Sequence, residues 1–356
     1  MKVHLLALLA MLGAAVSAPA AEHIRVVVAD DQQAVTLRSQ AGLTADGVPG
    51  DRRLHFTPSS VGTRPVSVGS AGTFVQMNGR SYRGTIELRK KRNGLLLVIN
   101  DIDIEDYLRG VVASEVPHDW EPEVLKAQAV ASRTYALYQK RAAGRRPYHI
   151  LATVDSQVYD GRSGEHEAAS RAVKETEGIV ITYDGALIPA FYHSSCGGHT
   201  EDAFELWGID APYLRGVDCD CQEISTYGVW EKRISPVQLR SALMRLGYRI
   251  NNIRDIGIDG ITPAGRVKQV EIRYAGGTAE VPAEKFRAAI GNSLVPSVFF
   301  EAGMYGDEIV ISGRGRGHGV GLCQWGARQM AREGSDYRAI LAHYYPGTKL
   351  VKRENH

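Results

Sequence analysis

Apolar residues in the first hundred positions come in short runs at 24–29, 34–38, 73–77, 82–89 and 95–99, each long enough for one strand. Asn78-Gly79 and Asn93-Gly94 separate the later runs, and Asn-Gly between apolar segments marks a tight hairpin. Between 40 and 68 the chain is rich in Gly, Pro, Ser and Asp and reads as loop. The pattern predicts an antiparallel, β-rich N-terminal region over 21–100.

Beyond 100 the spacing turns helical. From Pro122 to Leu137 apolar or small residues cover most sides, which marks a buried helix that Gly144 and Pro147 end. Lys126, Val130, Arg133 and Leu137 fall on one stripe, and two cations on a buried stripe need partners or a cleft. A second helix is expected at 164–177, and strands at 179–183 and 186–192 flank Asp184-Gly185. The stretch 193–221 is irregular. At about 230–300 a helix (236–246), a strand (267–274) and a helix (283–290) suggest a small inserted subdomain. A last helix is expected at 324–332. The fold class is therefore α+β: a mixed two-part body with a cleft, a β-rich N-terminal part, and a region 101–350 that carries the insert.

Composition narrows the class. The 356 residues are 44% hydrophobic and 23% charged, ordinary for a globular protein, and a net charge of +2 gives no reason to expect nucleic acid as a partner. Residues 1–20 read as a signal peptide: Lys2, an apolar core over 5–16, and Ala18-Pro19-Ala20 with cleavage after Ala20. If that segment were retained it would be a membrane anchor; if cleaved, the mature chain is exported, whether periplasmic, wall-associated or secreted.

Candidate chemistry centres on Glu115, read here as a loop residue between an apolar segment and the buried helix. Desolvation there raises a carboxyl pKa toward the range a general acid needs. The competing reading is a salt bridge to Arg109, Lys126 or Arg133. A two-carboxylate glycosidase would need a partner among Asp101, Asp103, Glu105, Asp106, Asp119 and Glu121, and spacing selects none. His193, Cys196, His199, Cys219 and Cys221 form a candidate zinc set, although an exported chain equally permits a disulfide such as Cys196 to Cys219 or Cys221. The glycine-rich loop 313–321 either sets His318 at the mouth of a site or is a plain turn. It lacks the context of a dinucleotide fingerprint, and neither His-Glu-x-x-His nor Gly-x-Ser-x-Gly occurs. Cys323 beside His318 suggests a thiol nucleophile less well than it suggests a buried helix start.

Several blocks, in order, resemble the stage II sporulation protein D family, also called the LytB or amidase-enhancer family. They are the segment from Asp106 to Pro117 around Glu115, the Leu125-Lys126-Ala-Gln128 to Arg133-Thr-Tyr135 helix, Ser194-Ser-Cys-Gly-Gly-His-Thr200, Gly315-Arg-Gly-His318-Gly-Val-Gly321 with Gln324-Trp-Gly-Ala327, and Tyr344-Tyr345-Pro-Gly. The resemblance implies a peptidoglycan lytic transglycosylase that cuts between N-acetylmuramic acid and N-acetylglucosamine and leaves a 1,6-anhydro end. It implies Glu115 as catalytic acid, Arg133 for charge stabilisation or placement, and Lys126, Gln128, His318, Gln324, Tyr344 and Tyr345 in the cleft. It requires no cofactor; a zinc near the Cys-Gly-Gly block would be structural. Expected partners are glycan strands and a cell-wall amidase, and the alternative role is a non-catalytic, wall-binding enhancer of that amidase. Val116 stands where the family usually has Met, and Cys323 and Trp325 where Ser and Tyr are common; Trp325 is still expected to stack on a sugar.

Overall fold

A computed structural model describes residues 22–72 and 74–353, so the expected signal peptide lies outside the described residues. The described residues up to Asp103 form two sheets whose strands pair antiparallel, the larger of which also takes a parallel edge strand, Ile150–Leu151. In the larger one, strand His23–Gln32 pairs with Leu96–Asp103, which pairs with Thr85–Lys90 and onward through Val66–Gly69 to two short strands. The other sheet takes Arg53–Phe56, Val35–Arg38, Val75–Met77 and Arg80–Tyr82. Asn78 and Gly79, both at positive φ, close the last hairpin between Met77 and Arg80, as a type I′ turn requires. The stretch expected as loop at 40–68 holds three short strands and most of a fourth around the one-turn helix Pro58–Val61, whose Thr57 caps it.

Helix Pro122–Ala142 is the axis of the body. Its residues 124 and 125 and all of 127–137 are buried, which is why its sequence shows so little polar face. Helices Ile104–Glu115, Glu167–Glu175, Gln324–Arg332 and Tyr337–Tyr344 pack around it. The helix expected at 164–177 divides into a 3-10 turn, Gly161–Gly164, and helix Glu167–Glu175 capped by His166. The expected strand 186–192 splits into Ala186–Leu187 and Tyr192–His193, with Pro189 between them. Tyr192–His193 then runs parallel to Leu322–Cys323, and this pairing joins segments 130 residues apart.

A second hydrophobic core spans Trp230 to Ile311 and is separate from the main one. It is built from strands Trp230–Ile234, Glu308–Gly313 and Phe300–Tyr305, a three-stranded meander over 253–282, and helices Pro236–Arg245 and Ala283–Ile290. A buried arginine helps to fasten this unit to the body. Arg266, only 2% exposed, donates from Nη2 to the carbonyls of Cys196 (2.9 Å) and His199 (3.1 Å). Beside it the Thr262 hydroxyl donates to the buried Glu201 carboxylate at 2.6 Å. The architecture is α+β, and among the described residues no helix is long and apolar enough to cross a membrane.

Candidate functional site

Glu115 is the last residue of helix Ile104–Glu115, not a loop residue. Asp103 caps the start of that helix by accepting from the amides of Glu105 and Asp106. Val116 ends it in extended conformation, as a residue before proline prefers. Gly110 lets the helix lie against the neighbouring turn: a Cβ there would sit 2.8 Å from the Gly161 carbonyl oxygen. The carboxylate is thereby aimed into a cleft of about 530 Å³.

Several separate parts of the chain line this cleft with Glu115. Tyr135 comes from the axial helix, and Val154, Asp155, Ser156 and Val158 from the following loop. Phe191 to Ser194 and Arg316 to His318 come from the joined parallel strands and the glycine-rich loop, and Gln324 from the next helix. Trp207 ends helix Ala203–Trp207, while Arg287 and Asn292 belong to the inserted unit. Phe191, Trp207 and His318 pack as one aromatic wall, with ring centroids 4.8 and 5.1 Å from Trp207 to Phe191 and His318. Trp207 is 41% exposed, so it keeps a face for a ligand.

Burial raises the Glu115 carboxyl to about 7; hydrogen bonds from the Val158 amide (2.8 Å) and the Tyr192 hydroxyl act against that rise. Gln157 organises the second of these. Its Nε2 donates to the Tyr192 hydroxyl oxygen at 3.1 Å while its Oε1 accepts from Tyr107 at 3.0 Å. The Tyr192 oxygen already accepts, so its proton is free to point at Glu115. Among the described residues no cation pairs with Glu115. The ion pairs weighed from sequence are made elsewhere: Arg109 with Asp106, Lys126 with Glu123 and Glu175, and Arg133 with Glu105.

The structure does not bring Arg133 to the cleft. Its guanidinium is 1% exposed, binds both Glu105 oxygens at 2.7 and 2.6 Å, and reaches the carbonyls of Ile179 and Val173. Lys126 likewise stays in its surface ion pairs. Gln324 lines the cleft and donates to Gln128 behind it at 3.2 Å. Tyr344 and Tyr345 are buried in the core; the Tyr345 hydroxyl donates to the Phe191 carbonyl at 2.6 Å and so braces the strand that carries Tyr192. His318 is in the wall, but both ring nitrogens are used: Nε2 donates to the Tyr192 carbonyl at 3.0 Å and Nδ1 accepts from the Val320 amide at 3.1 Å. Burial lowers its pKa to about 4, so it is neutral at pH 7 and sets strand geometry. Trp325 packs on Trp120 and is not among the residues lining the cleft. Tyr192, Asp155, Trp207, Arg287 and Arg316 were not singled out by the sequence as site residues.

The metal candidates sort differently from expectation. Cys196, Cys219 and Cys221 meet Cys323, and the four buried sulfurs all lie within 4.8 Å of one another. His193 and His199 are outside this group: His193 uses Nδ1 on the Val320 carbonyl, and His199 uses Nδ1 on the Thr200 carbonyl. No two of the sulfurs are bonded as a disulfide. Four thiolates around a tetrahedral zinc would lie about 3.8 Å apart, given Zn–S distances near 2.3 Å. Cys196 and Cys221 are 3.4 Å apart, and the amides of Cys196 and Gly326 point at the Cys323 sulfur at 3.3 and 3.4 Å. Amide donors of this kind orient metal thiolates. A side chain at Gly326 would collide with the Cys219 sulfur and the Tyr344 hydroxyl. The donor set fits a closed, structural zinc.

The stage II sporulation protein family matches residues 92–183. The chain is 35% identical over 279 residues to an uncharacterized protein of Brachyspira hyodysenteriae, covering 77% of this chain and 73% of that one. It is 32% identical over 273 residues to stage II sporulation protein D of Bacillus subtilis, covering 72% and 76%. It is also 30% identical to the amidase enhancer of Bacillus subtilis, over 79% of this chain but only 46% of that longer protein.

Proposed function

The chain belongs to the stage II sporulation protein D family, and on that premise we propose that it is an exported, peptidoglycan-directed lytic transglycosylase in which Glu115 is the single general acid and base. The observation that carries this reading is a carboxyl held near pH 7 inside a cleft with an aromatic wall. A group titrating at the working pH both gives and takes a proton with little penalty. Protonated Glu115 donates to the glycosidic oxygen as the bond to C1 of the muramic sugar breaks. The resulting carboxylate removes the proton from that sugar's own 6-hydroxyl, whose oxygen closes on C1. The products are a free glycan end and a 1,6-anhydro end; no water is consumed and Glu115 returns protonated. The Val158 and Tyr192 donors hold the carboxylate midway through the cycle. In this reading the four-cysteine cluster carries a zinc that braces the strands behind the cleft and takes no part in bond cleavage.

A second reading, in which the cleft binds glycan and assists an amidase, draws on the similarity to the amidase enhancer. Mass spectrometry of products from purified, peptide-stripped glycan strands separates the two. Wild-type protein is expected to release anhydro-muramic ends, and Glu115→Gln none. Water-added reducing ends would point to a hydrolase using Asp155, the other carboxylate that lines the cleft. No product from either protein would transfer the reading to the amidase-assisting role.

A further inference from the structure

Two cations in the cleft have no part in the chemistry above. Arg316 comes from the glycine-rich loop of the body and Arg287 from the inserted unit, and both line the cleft that holds Glu115. Arg316 is held without an acid. Its guanidinium lies 4.8 Å from the centroid of the Tyr227 ring, and its Nη1 donates to the Tyr227 hydroxyl at 2.9 Å. Among the described residues no carboxylate pairs with it. Arg287 donates from Nε to the Val295 carbonyl at 3.2 Å and from Nη1 to Glu284 at 3.3 Å, which leaves Nη2 uncommitted. Its charge is felt at His318 in the cleft wall. Against these two cations the lining offers only Asp155 and a half-ionised Glu115. An arginine fixed by an aromatic ring but left without a counterion is a ready donor for a carboxylate.

We infer that Arg316 and Arg287 form a carboxylate subsite that recognises the anionic substituent of the muramic sugar, with the inserted unit supplying one of its two arms. This rests on the glycan-directed reading of the cleft. The carboxylate is either the free lactyl group of a peptide-stripped muramic residue or a carboxylate of an attached stem peptide. Both present a planar anion on the side of the ring that carries the 3-substituent, directly on the lactyl group in the first case and further out along the peptide in the second. A neutral polymer of N-acetylglucosamine offers neither.

The test is calorimetric binding to the full chain carrying Glu115→Gln, so that no probe is consumed. Three oligosaccharides of equal length are compared: a chitooligosaccharide, a peptide-stripped muramyl glycan, and a muramyl glycan bearing stem peptides. At low salt one or both carboxylate probes are expected to bind about fivefold to tenfold more tightly than the neutral one, in the range of one charge-assisted contact at a part-exposed site. That preference is expected to shrink at high salt, to vanish in the Arg316→Gln, Arg287→Gln double variant, and to survive largely in Arg316→Lys. Which carboxylate probe binds tighter identifies the source. A thermal midpoint matching the parent shows that the double variant is folded. Equal binding of all three probes, or a preference that persists in the folded double variant, overturns the subsite and leaves the cleavage reading standing. Failure of every probe to bind overturns both.

Discussion

Replacing Glu115 by Gln should make the protein more stable, and more so as the pH rises. The carboxyl titrates at about 7 in the folded chain against 4.5 for the free group, because burial disfavours its charge. A carboxyl with a raised folded pKa binds more protons in the folded than in the unfolded state, so its contribution is neutral below about pH 4 and becomes unfavourable between 4.5 and 7. At about 1.4 kcal/mol per pH unit, the cost is about 2 kcal/mol at pH 6 and levels off near about 3 kcal/mol above pH 8. Gln keeps an oxygen for the Val158 amide but carries no charge, so the variant avoids this cost. The assay is urea unfolding of both proteins at pH 4.5, 6 and 8. The curves should nearly coincide at pH 4.5 and separate progressively, with the variant ahead, while its glycan cleavage is abolished. Parallel pH profiles would mean that Glu115 is solvated, and the argument for its acid role would fall with that result.

Other outcomes follow from the same structure. Arg133→Ala is expected to destabilise by about 3 kcal/mol in urea unfolding because it strands Glu105 beside a buried backbone, and lost activity should track lost folded protein. Trp207→Ala should raise KM for glycan about threefold to tenfold with kcat nearly constant, since it removes an exposed stacking face and no group that exchanges a proton. Natively purified protein should carry about one equivalent of zinc by elemental analysis; Cys221→Ser should lose it and lower the thermal midpoint, and a metal-free wild type of unchanged midpoint would refute a structural role. Gly326→Ala should have the same two effects, because the added methyl enters the space of the Cys219 sulfur.

What could be read from the chain was what is local. The Asn78-Gly79 hairpin, the buried axial helix and the shift in pattern near residue 230 all declare themselves through period and turn chemistry. The Glu115 helix was misplaced because its apolar face precedes Pro117 so closely that the segment reads as a loop, whereas only Val116 leaves the helix. Long-range assembly was illegible. Tyr192 and Val158 meet Glu115 across 77 and 43 positions of chain, and nothing in their own neighbourhoods marks them. Cys323 joined the sulfur cluster only through the parallel pairing of strands 130 residues apart, a contact that no Cys-x-x-Cys spacing announces. Arg133 was the reverse case. A cation on a buried stripe signals a partner or a cleft, and here the partner, Glu105, lay in the first turn of the preceding helix.

The way Arg266 fastens the inserted unit has a consequence for how such a protein diversifies. The unit has a core of its own, so replacements on its outer surface are expected to leave the core of the body intact. Yet it is docked through a guanidinium whose landing points are the carbonyls of Cys196 and His199, beside the sulfur cluster. The insert is therefore a separately packed jaw seated on the body beside the sulfur cluster. Substitutions around Arg287 and Asn292 are expected to change the lining of the cleft, while loss of Arg266 is expected to loosen the seating of the unit on the body.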